Sequence, residues 1–177
     1  MNNDGEMDEN DRYGLLIWDD SAIGVIGAIG ERCCTVDPAT GEIGLTLYNE
    51  RVISALEQYF SLAFDKQHAL CYQRIPGMTG SALFGGNHGV FIATYMGLVR
   101  SQREMEDDFG ILPYPKLDEA QQNYNSLIAP YNSMYTCVPL VQADADRTGV
   151  ITEALAYYGQ KIVLPAYYDV SLVGQST

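Results

Sequence analysis

Basic residues are scarce in this sequence of 177 residues: ten Lys and Arg stand against 23 Asp and Glu, a formal charge of −13. A phosphate backbone repels such a surface, and no basic patch or aromatic–basic interleaving offsets it, so nucleic acid is not expected as a partner. Residues 1–12 hold five acids and one Arg, −4 of that total. The rest of the acidity belongs to the domain. Long apolar runs are also missing; none reaches the ~18 residues a spanning helix needs. The opening MNNDGEMDENDR has neither a basic start nor an apolar core, so no signal peptide is expected in this chain. Histidine occurs twice, and Cys33, Cys34, Cys71 and Cys137 form no CxxC and no ligand spacing with His68 or His88. No metal or cofactor is therefore expected. Adjacent Cys33 and Cys34 rarely bridge, because vicinal geometry is strained. The four cysteines read as buried free thiols.

What is present reads as an ordinary globular composition, 47% hydrophobic and 19% charged. Residues 1–12 form an acidic head expected to be disordered. Its Asp4, Glu6, Asp8, Glu9 and Asp11 lack the glycine and terminal Glu of a calcium loop. Tyr13–Trp18 is an apolar run that predicts a buried strand. Asp19-Asp20-Ser21 offers N-cap chemistry for a helix over 22–29, which Gly30 ends and whose Gly24 and Gly27 permit close packing. Asp37–Gly41 is a turn leading to a hairpin arm at 43–47. Asn49 caps the clearest helix, with Val52, Leu56, Tyr59, Phe60 and Ala63 along one face. A turn-like stretch at 71–80 and a helical turn at 81–89 precede a second strand, Val90–Tyr95. A short helix at 98–105, a strand at Phe109–Pro115, a loop at 116–124, an extended segment Ser126–Pro139 and a helix ending at Tyr158 complete the order. Strand and helix alternation of this kind predicts an α/β sheet with crossovers.

The stretches FGGNHGVFIATY at 84–95 and EDDFGILPYPK at 106–116 resemble the family 1 extracellular solute-binding proteins of bacterial ABC importers, most of which carry carbohydrates. Tyr13-Gly-Leu, Asn49-Glu50-Arg51 and Pro165-Ala-Tyr-Tyr-Asp169 fit the same pattern, so the resemblance covers nearly all of 13–170. It implies a lobe of a periplasmic-binding-protein type II-like fold. It also implies an extracytoplasmic, cell-surface location, a small-molecule solute bound without chemistry, and docking on a permease. The family is roughly twice this length, so the chain resembles its central piece without the N-terminal half. On that reading 13–125 is the α/β lobe, and 126–177 is a return segment that in the family packs on the other lobe.

Trp18, Asp19 and Asp20 lie where a strand ends, the edge at which open α/β sheets bind ligands. An indole face stacks on a pyranose ring while carboxylates accept hydroxyl protons. The same residues also fit a core Trp and a helix-capping Asp. Tyr95 ends the second strand at the position where the family carries a cleft aromatic. Together these four are the expected ligand-binding residues, and no catalytic residue is expected. His68 and Cys71, three apart, lack the nucleophile elbow and orienting partner of a hydrolase. The alternative to solute binding is a binding-inert interaction protein. Its exposed segment around Met134, Tyr135 and Val138 would pair two copies into a homodimer.

Overall fold

The computed structural model describes residues 6–128 and 135–172. They fall into two units, Met1–Met105 with Leu112–Leu127, and Glu106–Ile111 with Ile128–Thr177. The first is built on a three-stranded parallel sheet of β1 (Tyr13–Ile17), β4 (Ala69–Cys71) and β5 (Gly89–Ile92), ordered β4-β1-β5. In register, Ile17 lies beside Cys71 and Leu16 beside Ile92. Parallel neighbours need crossovers, and helices α1 (Ser21–Ala28), α2 (Glu50–Ala63) and α3 (Gly80–Gly85) supply them. The chain is therefore α/β, as its alternating pattern predicts. Between α1 and α2 a separate hairpin, β2 (Cys34–Val36) with β3 (Ile43–Leu45), stands as its own two-stranded sheet.

Two apolar clusters hold this unit. Tyr13, Leu16, Tyr72 and Leu83 fill one, with Trp18, Phe84 and Ile92 packed against it. Ile26, Ile29, Val52 and Ala55 form the other, joining α1 to α2. Asn49 caps α2 as its sequence predicts, its Oδ1 accepting from the Val52 amide at 2.9 Å. Val52 and Ala63 of the predicted face are buried, whereas Phe60 is exposed and stacks on Phe64, ring centroids 5.5 Å apart.

Helix α1 ends as predicted at Gly30: its amide reaches the Gly27 carbonyl, and its φ of +84° turns the Glu31 amide back to the Ile26 carbonyl. The Ala28 carbonyl is closed by side chains from far along the chain. Gln121 Nε2 donates to the Ala28 carbonyl at 2.8 Å, and Asn125 Nδ2 donates to the same oxygen at 3.3 Å. Gln121 Oε1 in turn accepts from Arg51 and from the Leu117 amide. Residues 112–127 thus form a strap across α1. A Cβ on Gly24 would lie 2.8 Å from the Tyr114 hydroxyl, and one on Gly27 would lie 2.6 Å from Leu127 Cβ. The small residues of α1 accommodate that strap.

Several expectations are corrected. Phe109–Pro115 forms no strand, because Pro113 and Pro115 remove alternate amides along one edge. β4 lies where no strand is predicted; three residues flanked by a 3₁₀ turn at Tyr72–Arg74 are too short for a periodic signal. Cys33, Cys34 and Cys137 are exposed rather than buried, and Cys71 is half-buried; all four are free thiols. Of the acidic head, residues 6–12 are described. Asp8 and Asp11 close a turn, the Tyr13 hydroxyl donates to the Asp8 carbonyl at 3.0 Å, and Arg12 Nε donates to the Asn87 carbonyl at 2.8 Å.

In the second unit, α4 (Ala145–Tyr158) starts at Asp144, whose Oδ1 accepts from the Arg147 amide at 2.9 Å. The helix does not stop at Tyr158. Gly159 stays right-handed, and π-helical turns at Gly159–Val163 and Tyr167–Leu172 flank a short α5 (Leu164–Ala166). Pro165 lacks the amide that an α-helical ladder needs, and widened turns on either side absorb the loss. The described parts of the extended segment, 126–128 and 135–139, carry no strand; Met134 lies outside the described residues. Tyr135 and Val138 are exposed.

Candidate functional site

The strands are parallel, so the carboxyl ends of β1, β4 and β5 share one edge of the sheet. The residues beyond central β1 are flanked by those beyond β4 on one side and β5 on the other. Beyond β1 stand Trp18 and Asp19; β4 closes on Cys71 and is followed by Gln73 and Arg74; beyond β5 comes Tyr95. Trp18 and Tyr95 meet with ring centroids 6.0 Å apart and planes tilted by 49°. Trp18 is half-buried against the first cluster, whereas Tyr95 is 54% exposed. An aromatic pair of this geometry offers an apolar wall with one face open to water.

Asp19 is held from three directions. Its amide donates to Gln73 Oε1 at 2.9 Å, its Oδ1 accepts the Cys71 thiol proton at 3.2 Å, and Arg74 Nε approaches the same oxygen at 3.8 Å. Burial pushes the Cys71 thiol up from its ordinary value, and the neighbouring Asp19 carboxylate pushes it further. The thiol therefore serves as a hydrogen-bond donor and not as a ready thiolate.

Asp20 occupies the N-cap position of α1, but its side chain makes no capping bond. Ser21, the first residue of the helix, closes the turn from β1 into α1: its buried Oγ accepts from the Trp18 amide at 3.2 Å. Tyr59 and Tyr114 both bring their hydroxyls to Ser21. Burial, above all, pushes Tyr59 up to about 12. Among the four expected binders, Trp18, Asp19 and Tyr95 are brought together at this edge. Asp20 is exposed at the start of α1.

Three positioning residues escape sequence reasoning. Gln73 and Arg74 fix Asp19, yet they lie in a turn-like stretch with no motif. Gly97 is the third: a Cβ there would sit 2.8 Å from Tyr95 Cε2, so the ring lies directly on the glycine. His68 pairs with Asp65, its Nδ1 2.8 Å from Oδ2, and makes no bond to Cys71. That bond and the Gln67 amide hold the exposed Asp65 carboxyl below its ordinary range.

Two concavities lie elsewhere. One of about 220 Å³ is lined by Asn10, Asp11, Arg12, Gly86, Asn87 and His88, near the amino ends of β1 and β5. The other, about 520 Å³, is a shallow face of α4 between Val150 and Tyr158. Among the described residues no group of His, Cys, Asp and Glu is arranged to hold a metal, and no helix is long and apolar enough to cross a membrane. Comparison with protein families, with curated proteins and with solved structures finds no match to this chain.

Proposed function

We propose that this chain is the binding lobe of a solute-binding protein, and that its sheet edge at Trp18, Asp19 and Tyr95 holds a carbohydrate or a similar hydroxylated solute without covalent chemistry. The observation that carries this reading is the Trp18–Tyr95 pair at the carboxyl edge of a parallel sheet, with the Asp19 carboxylate next to Trp18 in the chain and bonded on the β4 side. A sugar ring laid on the aromatic wall removes its apolar face from water, and Asp19 accepts a hydroxyl proton. The family resemblance of the sequence points the same way: an importer component outside the cytoplasm, closing on its solute with a second lobe and docking on a permease. One lobe supplies one wall, whereas pockets bury ~70–90% of a ligand, so the affinity of this chain alone is weak.

Trp18 is the sole tryptophan of the sequence, and its emission therefore reports on this edge alone. Titration with a panel of oligosaccharides should shift that emission in the millimolar range for at least one of them, and Asp19→Ala should abolish the shift. No response across the panel, or a response that Asp19→Ala and Tyr95→Ala leave intact, would remove the support for this site.

A further inference from the structure

The β2–β3 hairpin carries its apolar residues on one face and turns that face to solvent. In antiparallel register Cys34 lies opposite Leu45 and Val36 opposite Ile43, so these four side chains share a face. Thr35 pairs with Gly44 on the other face, and alternation places Asp37 and Glu42 there as well. The Cys34–Val36–Ile43–Leu45 face therefore carries no acidic side chain; by the same alternation Arg32 is the charged residue at its margin. Val36 is 62% exposed, Ile43 73% and Leu45 86%, and neighbouring Tyr48 is 95% exposed. A lone two-stranded hairpin is marginal in water, and this one packs neither face on the core: every residue of β2 and β3 is exposed.

We propose that this face is a dimer interface that pairs with the same face of a second copy of the chain. Two arguments favour that occupant. The face carries no carboxylate, so two chains of net charge −13 can meet there without setting acid against acid. Residual repulsion between the two bodies is largely screened beyond ~8 Å at physiological salt. The four large side chains also offer on the order of 500–600 Å² per copy, the low end of what specific interfaces bury. The association is accordingly weak and reversible, and it strengthens as salt is added. An isologous contact of this kind closes after two copies and leaves no free face to propagate.

Sedimentation velocity over a concentration series tests the assignment. The mass should rise from 19.5 kDa toward twice that value as concentration increases, at lower concentration in higher salt. Leu45→Glu and Ile43→Glu should each weaken association by on the order of tenfold or more. Thr35→Glu, on the opposite face, should leave it unchanged; circular dichroism confirms that each variant is folded. Independently of these variants, a short bis-maleimide should cross-link the Cys33→Ser/Cys137→Ser protein through Cys34 and leave the Cys34→Ser/Cys137→Ser protein largely monomeric. A monomer at every concentration overturns the proposal. So does a dimer indifferent to Leu45→Glu and Ile43→Glu, since it uses another face. A monomer that binds neutral phosphatidylcholine vesicles through Leu45 overturns it as well, in favour of a lipid surface.

Discussion

Cys71 gives its thiol proton to Asp19 across the sheet edge, Sγ to Oδ1 at 3.2 Å, and so ties the end of β4 to the residue that follows Trp18. Burial and this carboxylate both oppose the thiolate. At pH 8 Cys71 should therefore react with iodoacetamide well after the exposed Cys33, Cys34 and Cys137. Asp19→Asn removes the charge and leaves the burial. Alkylation of Cys71 in that variant should accelerate severalfold, read by mass spectrometry of the digested protein. An unchanged rate would mean that burial alone controls the thiol.

Two glycines make contrasting cases for an added methyl group. A Cβ on Gly89 would meet Leu16 Cγ at 2.5 Å, and Leu16 is fully buried with nowhere to move. Gly89→Ala should cost about 1–3 kcal/mol in urea unfolding, the usual cost of overpacking. A Cβ on Gly97 meets only the exposed Tyr95 ring, which can swing into water. Gly97→Ala should change stability by less than about 0.5 kcal/mol, like other exposed-site changes. It should still separate Tyr95 from Trp18, seen as a red shift of the tryptophan emission.

Gln121 bonds at once to the Ala28 carbonyl, to Arg51 and to the Leu117 amide. Gln121→Ala strips a donor from the end of α1 and an acceptor from two other groups. A loss of about 0.5–1.5 kcal/mol is expected, the net scale of lost hydrogen bonds, because Asn125 still donates to the Ala28 carbonyl and Arg51 keeps Asp118. Glu119→Ala, exposed on the same strap, serves as the control and should unfold at the wild-type urea midpoint.

Alkaline stability should fall early. Burial, above all, pushes Tyr59 up to about 12 from an ordinary 10.0, and Tyr13, Tyr72 and Tyr114 are raised in the same direction. A group whose folded pKa is raised contributes its full stability below the unfolded value and loses it as pH climbs through the folded one. The melting temperature should drop between pH 10 and 12, and Tyr59→Phe should flatten that drop. A melting temperature with the same slope in Tyr59→Phe would assign the loss to the other tyrosines.

The sequence alone determined the parts whose signals are local. The apolar run 13–17, the Asn49 cap with helical spacing behind it, and Gly30 after the first helix each specify backbone geometry within a few residues. They gave the α/β class and the two aromatic candidates at strand ends. What only the tertiary structure decided depends on residues distant in the chain. β4 exists because Ala69–Cys71 completes the ladder of β1, a pairing that three residues cannot announce. Asp19 was separated from Asp20 by Gln73, Cys71 and Arg74 arriving from more than fifty positions away. The exposed cysteines and the outward apolar face of the hairpin belong to the same class. Alternation says that one face is apolar, but only three-dimensional packing decides whether that face meets the core or the solvent.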